Sequence, residues 1–322
     1  MDEFEFIDHI KQRTYKQNSV VKGIGDDAAI FRPTTNEVVT AVDTFVENIH
    51  FTSKTTTPFH VGYRALAANI SDIAAMGAVP KFYLVSIVVP SKIGEETLLQ
   101  MYAGMNDIAK NYQMDLIGGD TVSGEQLVIS ITVIGYLSTQ IARYRSIAKE
   151  NDVVFVTGVL GDSAAGLHIL LNELSVKDGS YFINRHQMPE PRVSFVEKLQ
   201  SVKRIALNDV SDGIANELRE LAVASDKDII VHDEMIPVHP SLKQFNSEHQ
   251  YRWKYFGGED FELVGTVGKR DWLDLEKIAQ EIGLKITKIG NVTLKQAKHP
   301  QVLLWKDNSL SLLKNEGYIH LK

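Results

Sequence analysis

The sequence predicts a two-domain α/β (α+β) protein, and three observations predict it. Short runs rich in Val, Ile and aromatic residues alternate with longer stretches of helical periodicity. The chain has 322 residues, enough for two cores of ordinary size. A polar, basic connector, STQIARYRSIAKEND, follows one long apolar run and precedes another. The boundary is therefore placed near residues 138–150, giving domains of 1–137 and 138–322.

Taken in order, residues 2–18 read as a short helix, acidic and amphipathic and unlike a signal peptide. Strands are expected at Val38–Val46, Phe82–Val89, Leu127–Leu137, Asp152–Gly158, Ile229–Val238, Phe261–Val267, Leu284–Val292 and Gln301–Lys306. Each is bounded by Gly, Pro or Asn. Helices are expected at Pro58–Met76, Glu95–Gln113, Ser163–Leu174, Arg192–Lys203, Gly213–Ser225 and Lys269–Ile282. The first of these has Thr57 as N-cap, Pro58 at the first helical position, and Gly77 and Pro80 as its stop.

Composition narrows the chemistry. The net charge of −7 argues against a nucleic-acid binder, which carries a basic face. Any anionic ligand must then meet local cations, either basic side chains or metal ions. The absence of cysteine removes disulfides, zinc thiolates and a thiol nucleophile, and suits a cytoplasmic location. No apolar run reaches the roughly 18 residues a membrane span needs.

The acids are placed unusually. Asp27 lies in GIGDDAAI, Asp43 in TAVDTFVENIHF, Asp72 in ANISDIAAMGA and Asp120 in LIGGDT. Asp162 lies in VTGVLGDSAAG, Asp209 and Asp212 in ALNDVSDG, and Glu259 and Asp260 in FGGEDFEL. All have small or apolar neighbours, which puts them at element ends and not on solvated faces. Asp162 reads most simply as a helix N-cap, Asp212 as a cap or a ligand, and Asp107 and Asp115 as surface acids. Asp72 resists such a reading. It falls in the last turns of its helix, where the dipole disfavours an anion, and a carboxylate among Ala and Ile needs a cation or donors. Asn69 shares its face.

Carboxylates without cysteine or HExxH favour a hard cation such as Mg²⁺, which bridges to substrate phosphates. The glycines of GIGDD, IGGDT, TGVLGDSAAG and FGGEDF allow backbone N–H groups to approach phosphate closely. Acids and glycines together suggest a metal–polyphosphate site. It is of an uncommon kind, because the sequence has no GxxxxGK[ST], no GxGxxG after the first strand and no protein-kinase HRD or DFG set.

In their order and spacing, GIGDDAAI, VDTFVENIHF, NISDIAAMGA, IGGDT, TGVLGDSAAGL, VSDG and GGEDFEL resemble the bacterial thiamine-monophosphate kinase family. Single motifs also fit the wider superfamily of aminoimidazole ribonucleotide synthetase and selenophosphate synthetase. The resemblance implies ATP- and Mg²⁺-dependent phosphorylation of thiamine monophosphate to thiamine diphosphate by direct in-line transfer. It also implies a homodimer whose N-terminal sheets meet. By resemblance, Asp27, Asp43, Asp72, Asp120, Asp209 and Asp212 match metal ligands. Gly119, Asp120, Arg145 and Ser211 match ATP contacts, and His50, Glu259 and Tyr318 match positions near the thiamine phosphate. Ala41 and Val42, where relatives carry hydroxyls, offer a metal only backbone carbonyls. The alternatives are another ATP-using enzyme of the superfamily and a noncatalytic nucleotide- or metal-binding relative.

Overall fold

Two larger antiparallel-rich sheets, each with its own helices, and a two-stranded antiparallel ribbon are found in the computed structural model, which describes residues 3–24, 28–35, 37–137, 141–314 and 316–317. The chain divides into two compact units, 1–74 with 78–140 and 75–77 with 141–322.

The first unit runs α1 (Glu3–Ile10), β1 (Val20–Lys22), β2 (Ile30–Phe31), β3 (Val38–Val46), α2 (Pro58–Ala75), β4 (Ala78–Val89), α3 (Glu95–Asn111), β5 (Asp115–Ser123) and β6 (Val128–Leu137). Its four-stranded sheet has the order β3-β6-β4-β5, with only β4 and β5 parallel. Alternation along β6 sets its two faces. Ile129, Ile131 and Val133 are fully buried, while Ser130 and Thr132 between them are partly open. Helix α2 covers the buried face, since a Cβ at Gly135 would meet Ile73 of that helix. Thr57 caps α2, its Oγ1 accepting from His60 N at 3.5 Å. Helices α2 and α3 cross at glycines: a Cβ at Gly62 would lie 1.9 Å from Met101 O, and one at Gly104 would lie 1.9 Å from Phe59 O. The opposite face is covered at one end by Tyr15, Val20 and Phe31 against Phe82 and Tyr136. The rest stays open, with Val42 62% and Val122 43% exposed.

Asp115 is not the surface acid that its sequence context suggests. It is fully buried and accepts from the backbone N–H groups of Lys16 and Gln17 and from Gln12 Nε2. The expected helix over 2–18 accordingly ends at Ile10, because residues 12–17 form a strap along β5.

The second unit opens its main segment with a 3₁₀ turn at Arg145–Ile147. It runs β7 (Val153–Thr157), α4 (Asp162–Asn172), α5 (Gly179–Gln187), α6 (Val193–Lys198), β8 (Ile205–Asp209), α7 (Ile214–Ser225), β9 (Lys227–His232), α8 (Ser247–Phe256), β10 (Leu263–Val267), α9 (Trp272–Glu281), β11 (Ile286–Leu294), β12 (Val302–Lys306) and β13 (Ser309–Leu312). Its seven strands are ordered β13-β12-β9-β11-β7-β10-β8. Strands β7, β8 and β10 are buried along their whole length because helices cover both faces. Ile214, Leu218 and Leu221 of α7 join the core of one face. On the other face Phe155 packs against Phe195 of α6 and Trp272 of α9.

Candidate functional site

In the first unit the expected residues are set by α2 and the sheet. Asn69, fully buried on α2, donates Nδ2 to Ala65 O and accepts the backbone N–H of Asp43 on Oδ1 at 2.9 Å. Asp72 lies three residues further along the same helical face. The sequence therefore brings Asp43, Asn69 and Asp72 to one side of the unit.

His50 follows β3 in a turn whose backbone N–H groups at Ile49 and His50 both bond to Val46 O. Its Nδ1 accepts from Val46 N at 3.1 Å, and its ring stacks on Phe45. An imidazole whose Nδ1 accepts carries its proton on Nε2. His50 is thus oriented as a donor.

Asp120 lies elsewhere. It shares a register row with Ser86, Ser130 and Thr44, on the open face of the sheet, where Thr44 Oγ1 and Ser130 Oγ are 2.6 Å apart. Asp43 belongs to the next row, with Ile131, Val85 and Gly119. The two acids are on opposite edge strands, three strand spacings or roughly 14 Å apart. Gly119 has a packing role of its own, because a Cβ there would come within 2.1 Å of Val85 O.

The second unit brings its expected residues together by lacing two loops. Glu259 N donates to Ser211 O at 2.7 Å, Phe261 N donates to Val210 O at 3.0 Å, and Val210 N donates to Glu262 O at 2.7 Å. Glu259 has a positive φ of 62°, and a Cβ at Gly258 would meet Ser211 O at 2.6 Å. Asp209 ends β8, and Asp212 follows Ser211 in the loop before α7. Asp212 does not cap α7; the cap position is Gly213, with φ 98°.

Sequence reasoning missed the residues behind this loop. Glu217, buried on the first turns of α7, accepts from Asp212 N and Asn216 Nδ2 on Oε1 and from Asn208 Nδ2 on Oε2. Asn208 Oδ1 in turn accepts from Arg145 Nε at 2.9 Å, and Arg145 Nη1 pairs with Glu220 at 2.7 Å. Burial, with Asp209 and then Glu220 nearby, pushes Glu217 up to about 8. The signal in the sequence was the i, i+3 pair Glu217 and Glu220, which reads as an ordinary solvated helix face.

Asp162 is not the N-cap of α4. Gly161 holds that position with φ 84°, and Asp260 supplies the cap, accepting from Gly161 N at 2.7 Å and Ser163 N at 3.1 Å. Burial and then the neighbouring Asp162 push Asp260 up to about 8, against those two donors. Glu262, also buried, is held below the usual carboxylate range, because Arg192 and Arg185 outweigh its desolvation.

Asp27 and Tyr318 lie outside the described residues. Among the described residues, no three carboxylate or imidazole groups come together so as to hold a metal ion. Also among them, no helix is long and apolar enough to cross a membrane.

Residues 25–137 match the family model described as AIR synthase related protein, N-terminal domain, which sets the class of the first unit and its acid-bearing sheet. The full length is similar to thiamine-monophosphate kinase of Bacillus subtilis (strain 168), 49% identical and covering 100% of both chains. The crystal structure of thiamine-monophosphate kinase from Stenotrophomonas maltophilia K279a superposes with a TM-score of 0.83 at 30% identity, over 94% of this chain and 96% of that one. The structure of AaThiL complexed with AMPPCP and TMP superposes with a TM-score of 0.77 at 29% identity, over 99% of this chain and 97% of that one. The chain belongs to the thiamine-monophosphate kinase family and is a phosphotransferase.

Proposed function

We propose that the chain transfers the γ-phosphoryl group of ATP directly to the phosphate of thiamine monophosphate with Mg²⁺ present, giving thiamine diphosphate and ADP, as the last step in forming that product. The single observation that supports this most is the full-length identity of 49% to a thiamine-monophosphate kinase. The lacing of Ser211, Asp212 and Glu259 in the second unit adds geometry to it.

The acceptor needs no strong base, since a phosphate monoester is largely ionised near neutral pH. One of its oxygens bonds to the γ-phosphorus as the bond to the ADP oxygen breaks. Such transfer is chiefly positioning and charge neutralisation. In the first unit His50 donates Nε2–H to the acceptor phosphate. In the second unit Arg145 has Nη2 donors for ATP phosphate beyond those it gives Asn208 and Glu220, and Ser211 contacts the nucleotide. Glu259 pairs with the cationic thiazolium or accepts from the aminopyrimidine.

The donor set fits a hard cation, because every acid expected to bind metal offers oxygen. Mg²⁺, in several ions, would be held by Asp27, Asp43, Asp72, Asp120, Asp209 and Asp212. When bound it supplies the positive charge that an acidic protein lacks.

The open sheet face favours a homodimer, and the absence of cysteine suits the cytoplasm. Val42 and Val122 flank the hydroxyl row of Thr44, Ser130 and Ser86, a surface suited to a second copy. Asp120 shares that face, on the edge strand opposite to β3.

The test incubates the purified protein with thiamine monophosphate, ATP and Mg²⁺ and measures thiamine diphosphate and ADP in equal amounts. ATP binding without either product would overturn this reading and leave another ATP-using enzyme of the superfamily or a noncatalytic relative.

A further inference from the structure

Arg145 is a half-exposed cation on a short 3₁₀ turn, and such a side chain ordinarily samples many rotamers. Here two elements hold it. Glu220 of α7 takes Nη1, and Asn208 of β8 takes Nε. Asn208 is fully buried and has one amide with two ends. Its oxygen can serve Arg145 only if its nitrogen faces the other way, toward an acceptor. Glu217 Oε2 is that acceptor, and Glu220 Oε2 lies further off at 3.4 Å. Glu217 is 2% exposed, and its second oxygen takes the backbone N–H of Asp212 at 3.2 Å. One buried carboxylate therefore fixes both the amide that orients Arg145 and the loop that carries Ser211 and Asp212.

We propose that Glu217 is a positioning residue for the nucleotide, acting through the Asn208 amide on Arg145 and through its own Oε1 on the 211–212 loop. This rests on the reading of Arg145 as an ATP-phosphate contact. The chemistry predicts how the arrangement fails. In Glu217→Gln an NH₂ replaces one oxygen. Facing that NH₂, Asn208 must turn its oxygen inward, and its nitrogen then meets Arg145 Nε–H, donor against donor. Arg145 loses its orientation without being touched.

A double-mutant cycle tests this, with kcat and KM measured for both substrates in the wild type, Glu217→Gln, Arg145→Ala and the double variant. Glu217→Gln is expected to raise KM for ATP about three- to tenfold. KM for thiamine monophosphate should stay within about twofold, because no contact to that substrate is lost. In the Arg145→Ala background the same change should leave KM for ATP where Arg145→Ala alone put it. Fully additive effects, or a lowered kcat at unchanged KM for ATP, would overturn the positioning role. An unchanged KM for ATP in Arg145→Ala would overturn the reading of Arg145 itself. Should Glu217→Gln fail to fold, Asn208→Ala enters the same cycle: it removes the acceptor of Arg145 Nε, so it should raise KM for ATP in the wild type and not in the Arg145→Ala background.

Discussion

Asn69 Oδ1 accepts the backbone N–H of Asp43 across 2.9 Å, so the helix that carries Asp72 also fixes the strand position of Asp43. Asn69→Ala removes that acceptor and leaves a shielded N–H without its bond. The expected cost is about 1–3 kcal/mol of stability, read as a lowered midpoint in urea. Turnover should fall further than the loss of folded protein accounts for. Equal losses would mean that Asn69 serves packing alone.

Asp72→Asn and Asp120→Asn should each leave the thermal midpoint within a few degrees of the wild type. Each should lower kcat/KM by at least about 10–100-fold, the usual loss even for an outer partner of a metal ligand. Raised Mg²⁺ should recover part of the loss if the acids bind the ion. Near-normal rates in both variants would remove them from the metal cluster.

Stability should respond to pH through Asp260. A carboxyl raised from an unfolded value near 4 to about 8 takes up a proton on folding between those limits, so its contribution falls as pH rises through that window. Compared with Asp260→Asn, the wild type should lose thermal stability from pH 5 to pH 8 and track the variant above it. A difference in melting temperature that does not change with pH would show that Asp260 titrates normally.

Gly213→Ala should destabilise the second unit by about 1–3 kcal/mol. The residue has φ 98°, and an added Cβ would lie 2.7 Å from Phe256 Cα, which is backbone and cannot swing aside. Thermal melting measures the cost, and a loss under about 0.5 kcal/mol would show that the turn can relax.

Much of the architecture was legible because burial follows period. The Val-, Ile- and aromatic-rich runs Val38–Val46 and Leu127–Leu137 and the end signals around Pro58–Met76 identified elements that the structure contains. Strand β5 was not legible, because LIGGDT reads as a loop. Its glycines are there because β4 comes so close that Gly119 has no room for a Cβ. Helix α8, SEHQYRWKYF, was missed for another reason: it has little apolar periodicity and depends on Asn246 accepting from His249 N. At the candidate site, motif residues flanked by glycine stood out, whereas Asn208 and Glu217 did not. Their importance comes from burial and mutual bonding, and neither has a one-dimensional signature. Asp115 and Asp162 were misread because a short acid beside a turn looks the same whether it faces water or a buried donor.

The strap closed by Asp115 has a temporal consequence. Gln12, Lys16 and Gln17 leave a ribosome well before their partner, which is about a hundred positions downstream. Until β5 emerges and docks beside β4, the amides of Lys16 and Gln17 have nothing in the native fold to bind. Sealing of the strap is therefore a late event in the maturation of this half of the molecule. Protease sensitivity at residues 12–17 in ribosome-bound fragments of increasing length would time it.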